Sequence, residues 1–355
     1  MGKAASMGFS EEPFWPLPPR KPSFDPARDA WVLSRYADLC LALREPVLQQ
    51  ASPETREVVP DEREGHERLY AEVKTDVNRI DPVRWRVQME ESMTAALDRT
   101  RARSHIDLVH DLLHPWSVAV VLALAQPEPA VRRSLERIAR RLFFKSPALP
   151  DRPSPEHISG NSVRPEGVGL PEAAEAELDA LIKQRDLVLS KPMFFGFTQT
   201  LPSFIANAWL ALLLHPGQLQ RLIEEPAILP GATEELLRYA GIVQTLFRRA
   251  SARVKLGELC VEEGQFVYLE VAAANYDPAR FRQPNKLDLT RMATGHLALG
   301  TGTHGCVGAM LVRMACMALL PIIARSGLTL DQSRPVLWNG DGTLKWSCSV
   351  PARWQ

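Results

Sequence analysis

Leu299-Gly300-Thr301-Gly302-Thr303-His304-Gly305-Cys306-Val307-Gly308 is the stretch on which the reading of the whole chain turns. Four glycines in these ten residues surround a single cysteine, and a histidine stands two positions before it. Glycines let a backbone take positive φ and approach a flat or bulky group closely. The apolar run Ala309 to Ile323 follows at once and reads as a helix, which places Cys306 at or just before its N-terminus. Amide N–H groups and the positive dipole end there favour a thiolate over a thiol. A glycine-lined loop presenting a thiolate is a metal-ligand arrangement. A small buried cysteine in a Gly-rich turn is the plainer alternative, and the loop alone does not separate the two.

Composition narrows the field. The chain has 355 residues, 45% hydrophobic and 24% charged, the balance of a globular protein. Lys+Arg and Asp+Glu are both 42, so the net charge is zero, and nucleic acid is not expected as a partner. The five cysteines are irregularly spaced with no CxxC, which indicates neither a zinc site nor a disulfide framework and fits a reducing, cytoplasmic location. The longest apolar stretches, Trp116 to Ala125 and Phe204 to Leu214, read as too short to span a bilayer, so no membrane is expected. Met1-Gly2-Lys3-Ala4-Ala5-Ser6 matches a myristoylation pattern, a short match that carries little weight.

Periodicity gives a mainly α chain with a small β region, read as one domain over 1–355. Residues 1–28 are Pro-rich and read as an irregular arm, and 146–170, rich in Pro, Ser, Gly and Asn, as a flexible lid loop. Ala30 to Ser34 reads as a strand and Arg35 to Arg44 as a helix. Residues 50–66 read as loop, followed by a helix from His66 to Ile80. The next helix, Arg84 to about Arg103, carries Trp85, Met89, Met93 and Leu97 on one face. Asp107 to Leu124, Glu128 to Phe144, Glu172 to Lys183, Met193 to Leu214, Gln218 to Glu224 and Gly231 to Tyr239 complete the helical series. Short β segments then appear at Val254–Leu256, Cys260–Val261 and Phe266–Glu270.

Three further signals accompany the Cys306 loop. Glu235 and Arg238 stand three apart in Glu234-Glu235-Leu236-Leu237-Arg238, on one helix face and able to pair. Phe247-Arg248-Arg249-Ala250 opens the β region. Ala274-Asn275-Tyr276-Asp277-Pro278-Ala279-Arg280-Phe281 leads into Pro284 to Arg291, ahead of the cysteine. In this order and spacing the motifs resemble the cytochrome P450 family of the bacterial kind, from about residue 204 to the C-terminus and again in Ala30 to Asp38. The resemblance implies the P450 fold, missing one helix before the distal helix because little chain separates the helix ending near Arg185 from it. It implies haem b as cofactor, with Cys306 as the iron's ligand. Gly302, His304 and Gly308 match the signature loop, His304 and Arg248 match propionate partners, and Glu235 and Arg238 match the pair that holds the core beneath the haem. His66 falls where a haem-contacting residue often sits. The propionate arginine expected four positions later is Tyr70, with Arg68 as a possible replacement, and the signature phenylalanine is Leu299. Haem propionates need cations, and a thiolate ligand needs N–H donors, so the residue types agree with the resemblance.

The distal helix departs from the family. Gly196-Phe197-Thr198-Gln199-Thr200 falls on the segment whose acid and alcohol relay protons. Thr200 is retained, whereas Gln199 replaces the acid and cannot act as a general acid. Phe197 replaces a glycine, and Pro202 predicts a kink. A slip of one residue in this register is the alternative to a true departure. Phe194, Phe195, Phe197, Thr198 and Leu201 are expected to line an apolar substrate pocket, or else to be plain core. The expected function is oxidative tailoring of a small apolar metabolite as a monooxygenase, with electrons from a separate ferredoxin and reductase. Peroxide-driven or non-redox chemistry (isomerisation, dehydration, cyclisation) is the alternative, and a haem-free binding module is the rival class.

Overall fold

Leu201–Leu214 is apolar on every side, and a helix of that kind can only be stable inside a protein. It runs through the middle of the molecule with Ile205, Ala206, Ala208 and Trp209 wholly buried, and the other helices assemble around it. The computed structural model describes residues 14, 16, 18–52, 55–58, 62–142, 172–183, 189–340 and 342–355. The expected lid at 146–170 and most of the expected arm therefore lie outside the described residues.

The chain begins with β1 (Ser23–Asp25), β2 (Ala30–Leu33), α1 (Tyr36–Ala42) and β3 (Leu48–Gln50). Then come α2 (Glu62–Arg79), α3 (Pro82–Thr100), β4 (His105–Asp107), α4 (His114–Ala125), α5 (Pro129–Leu142) and α6 (Glu172–Lys183). The central run is α7 (Lys191–Phe195) and α8 (Leu201–Leu214), followed by α9 (Pro216–Glu224) and α10 (Leu229–Ala240). Four strands follow: β5 (Thr245–Ala250), β6 (Val254–Leu256), β7 (Leu259–Val261) and β8 (Phe266–Glu270). The chain closes with α11 (Val271–Asn275), α12 (Ala309–Ala324), β9 (Leu328–Leu330), β10 (Leu337–Gly340), β11 (Lys345–Ser349) and β12 (Pro351–Trp354). The largest sheet has the order β1-β2-β8-β5-β3, with only β2 and β8 parallel.

Three expectations change. β1 lies within 1–28, so the end of the supposed irregular arm is a strand that pairs with β2 through Ser23–Val32, Phe24–Trp31 and Asp25–Ala30. α2 starts at Glu62, inside the stretch read as loop, because acidic residues favour a helix's first turn. The apolar stretches are also parts of longer helical runs. Leu108–Ala125 and Lys191–Leu214 are long and apolar enough to cross a membrane, but 61% and 83% of these windows are buried inside the protein, which makes them core.

Each long run contains a π-helical turn, Leu108–Leu113 before α4 and Gly196–Thr200 between α7 and α8. The break expected at Pro202 takes this form. Pro202 has no N–H to give the carbonyl of residue 198. Upstream, Leu201 N–H reaches back five residues to Gly196 O, the π pattern. The hydroxyls of Thr198 and Thr200 donate to Phe194 O at 2.8 Å and Gly196 O at 3.0 Å, occupying carbonyls in the widened turn.

Packing then places the site. α3 turns Trp85, Met89, Met93 and Leu97, all buried, into the core, and it packs on α12. Its start is set by Asp81, whose carboxylate accepts from Val83 N (2.9 Å) and Arg84 N (3.0 Å), with Pro82 next. α10 packs on both α8 and α12. Asn207, buried in mid-α8, donates to Ala240 O and Lys345 O, each at 3.2 Å. Its carbonyl accepts from Ser347 N (2.8 Å) and Ser347 Oγ (3.0 Å), tying α8 to α10 and β11.

Candidate functional site

The Cys306 loop is shaped by two left-handed glycines. Gly300 has φ +69° and Gly302 φ +73°, a region L side chains avoid. A Cβ on Gly302 would lie 2.9 Å from Leu43 O, so only glycine lets this loop close against the end of α1. Gly302–His304 forms a single 3₁₀ turn, and Gly305 N–H returns to Gly302 O at 3.1 Å. Cys306 N–H donates to Leu299 O at 2.7 Å. Gly308 caps α12, and its amide hydrogen-bonds the Cys306 thiol. Leu299 and His304 are half-buried, while Cys306 itself is exposed.

The thiol differs from expectation in one respect. Although the residue keeps an open edge, the protein atoms packed around it desolvate the Cys306 thiol and push it up from its ordinary value, and the Gly308 amide and the Arg313 charge only partly offset this. The helix end supplies the predicted N–H, but desolvation of a charge outweighs it.

Behind the loop lies a buried charge cluster. Arg238 and Glu235 form a fully buried two-pronged pair at 2.7 and 2.9 Å. Glu235 also accepts from Asp288 N (3.1 Å) and from Arg291 Nε (3.0 Å). Arg238 donates to Asn275 O at 2.9 Å and lies over the Tyr276 and Phe281 rings at 5.2 and 5.3 Å. Asn275 Oδ1 in turn accepts from Leu297 N at 2.7 Å, two residues before Leu299. The pair read from the sequence thus anchors the Cys306 loop through Asn275. Sequence reasoning missed Arg291 as a third member, although it ends one of the quoted motifs.

Glu234, the neighbour of Glu235, serves a second cluster that was also missed. Arg313 grips it at 2.6 and 3.0 Å, and buried His296 places Nε2 at 3.3 Å. Burial alone would raise the Glu234 carboxyl, yet its bonds to His296 and Arg313 bring it down to about 2.

The distal stretch is only partly as expected. Thr200 is exposed, and Phe195 and Gly196 beside it are half-exposed, so the open side of this run carries those three residues. Phe194, Phe197, Thr198 and Leu201 are buried, and the three apolar ones belong to the main core. Phe197 packs on Trp85 with ring centroids 5.0 Å apart. Of the five residues expected to line an apolar pocket, Phe195 has a partly open side chain, and the other four pack inward across the π-turn, as the plain-core alternative has it. Gln199 is buried too, its Nε2 at 3.4 Å from Thr198 Oγ1. Arg248, 3% exposed on β5, donates to Phe247 O at 2.8 Å. His66 lies on α2, and its side chain is outside the described residues; Arg68 and Tyr70 on that helix are exposed.

The donor set discriminates between kinds of metal group. Among the described residues no three His, Cys, Asp or Glu side chains converge as the ligands of a bare ion would. One cysteine with an amide on its sulfur, glycines around it and a buried arginine fit an iron that brings its own ring of nitrogens and anionic edge groups.

Comparison with known proteins agrees. The family model "Cytochrome P450" matches residues 193–326. Cytochrome P450 107B1 of Saccharopolyspora erythraea is 30% identical over 322 residues, covering 81% of this chain and 79% of that protein. The cytochrome P450 monooxygenase PikC of Streptomyces venezuelae is 30% identical over 305 residues, 79% of this chain and 71% of its own length. Among solved structures, the LnmA cytochrome P450 hydroxylase of the leinamycin pathway of Streptomyces atroolivaceus superposes with a TM-score of 0.71 at 25% identity, covering 92% of this chain and 90% of that one. P450BioI, solved with a fatty-acid-ligated acyl carrier protein, superposes with a TM-score of 0.74 at 20% identity, covering 92% of each chain.

Proposed function

Because this chain belongs to the cytochrome P450 family, whose members bind haem b through a cysteine thiolate, we propose that it is a monooxygenase that oxidises a small apolar metabolite, with Cys306 as the iron's ligand. Relatives named as monooxygenase and hydroxylase support that reaction class. The single observation that carries the reading is the Cys306 loop: a cysteine in a glycine-shaped turn, with the Gly308 amide beside its sulfur, at the head of α12. When bound, haem supplies the oxidative chemistry, and a thiolate ligand favours O–O cleavage.

The remaining roles belong to the chain's own groups. Arg248 holds a propionate by charge, with His304 and His66 as further partners. Gly302 and Leu299 O set the loop that presents Cys306. Glu235 and Arg238 brace the loop from behind. On the distal side, Thr200 holds a proton on a hydroxyl that now faces Gly196 O and can be redirected to substrate or water. Phe195 gives the substrate an apolar contact. Electrons come from a separate ferredoxin and reductase, and the protein works in the cytoplasm as one domain.

A second reading rests on one observation. Gln199 is buried and has no carboxyl to deliver a proton, which favours peroxide as oxidant or a reaction without oxidation. Two measurements test these readings. An absorbance spectrum of the reduced protein with CO tests thiolate ligation, and absence of the thiolate–CO band after haem-replete expression would leave the haem-free module as the answer. Turnover is then compared with reductase plus dioxygen, with peroxide, and with neither. Turnover in the first arm is the expected result; turnover only in the second or third arm sinks the monooxygenase assignment.

A further inference from the structure

The cluster beside Cys306 has a geometry that its structural role alone does not need. Glu234 stands on α10, Arg313 on α12 and His296 in the segment leading into the loop, so one carboxylate joins three separate pieces of chain. His296 Nδ1 accepts from Ala298 N at 3.2 Å, which assigns the imidazole proton to Nε2, facing the carboxylate. Arg313 uses Nε and Nη2 on Glu234, while Nη1 approaches Ala309 O, in the first turn after the loop, at 3.5 Å. The guanidinium is thereby held at the head of α12, on the residue whose own amide donates to Cys306 O at 3.1 Å. Arg313 and Glu234 carry one positive and one negative charge, which sum to zero.

We propose that Glu234, Arg313 and His296 are positioning residues that set the net charge facing Cys306 and so tune the reduction potential of the iron it ligates. The inference rests on Cys306 as the ligand. Adding an electron makes the haem–thiolate unit more negative, so a cation nearby favours reduction and an anion opposes it. Glu234 both holds Arg313 in place and cancels part of its field. Removing either charge therefore has an opposite consequence, although either change breaks the same ion pair.

The test is a one-electron potentiometric titration of haem-loaded wild type and the variants E234Q, R313Q, E234D and R313K, each also read as the reduced CO adduct. E234Q is expected to raise and R313Q to lower the midpoint potential. Each shift is expected to be a two- to tenfold change in the reduction equilibrium, about 20–60 mV at 59 mV per tenfold. E234D and R313K keep both charges and are expected within twofold of wild type. Shifts of the same sign in E234Q and R313Q, or none beyond twofold, overturn the proposal by reducing the triad to a brace. If a charge-removing variant takes up no haem, E234D and R313K decide: a shift beyond twofold in either also overturns it. A wild-type protein without the thiolate–CO band refutes the ligand assignment instead, which separates the two failures.

Discussion

Glu235→Gln isolates the charge of the carboxylate behind the loop, because it changes almost no volume. Glu235 accepts four hydrogen bonds: two from Arg238, one from Asp288 N and one from Arg291. With glutamine the shape remains, but the buried Arg238 guanidinium and the half-buried Arg291 guanidinium face a neutral amide with no anion between them. Breaking a buried ion pair by removing one partner costs about 3–5 kcal/mol, a large part of a total of about 5–15 kcal/mol. For 355 residues the unfolding entropy is roughly 0.75 kcal/mol/K, so the melting temperature should fall by about 4–7 °C. Arg291→Met is the control. It leaves Arg238 on the carboxylate, and with Arg291's side chain 12% exposed it should cost only about 1–2 kcal/mol. Thermal unfolding by circular dichroism with a urea titration reads both. If Glu235→Gln costs less than about 1 kcal/mol, or Arg291→Met costs as much, the carboxylate is not the hub and the argument fails.

Three other outcomes follow from the same structure. Gly302→Ala combines φ +73° with a Cβ 2.9 Å from Leu43 O, and should cost about 1–3 kcal/mol and reduce haem content in the purified protein, read as the Soret-to-protein absorbance ratio. Asn207→Leu strands Ser347 N, Ala240 O and Lys345 O inside the core, and should lower stability by roughly 2–4 kcal/mol in a urea titration; an unchanged midpoint would remove Asn207 as the tie between α8 and β11. Glu234 titrates at about 2 in the folded protein against an ordinary 4.5, so the unfolded chain takes up the proton first as pH falls. Its contribution is whole above pH 4.5 and is lost as pH drops through about 2. At full strength the shift would be worth about 3 kcal/mol, and solvent screening at this partly exposed group cuts it to about 1–2 kcal/mol. Urea titrations across that window should show Glu234→Gln losing less stability than wild type.

What was legible in the sequence was local. Trp85, Met89, Met93 and Leu97 repeat every four residues, and all are buried on α3. Glu172 to Lys183 was read with its observed bounds. The Cys306 loop carried its own glycines, and two of them are left-handed. What was not legible depends on chain far away. β10, β11 and β12 have weak patterns of their own, and β12 becomes a strand by pairing with β4 at His105–Asp107. Arg291 and Arg313 look like ordinary surface arginines until the fold brings them to Glu235 and Glu234. A helix end is visible in the sequence and favours the thiolate, whereas desolvation depends on surroundings that only the fold assembles. In the distal stretch α-helical spacing fails, because Gly196–Thr200 is a π-helical turn.

That turn governs more than spacing. A π-turn is equivalent to one residue inserted into a regular helix, and each α-helical residue turns the chain by about 100° and advances it by about 1.5 Å. Gly196–Thr200 therefore acts as a phase shifter: it sets the rotation of α7 relative to the fixed, buried α8. Deleting one residue from the turn would leave α8 where it is and swing α7 about a quarter of the way round, carrying Phe195 off the open side. Specificity at this site can thus change through chain length in five residues, without any change in the residue types that touch a substrate.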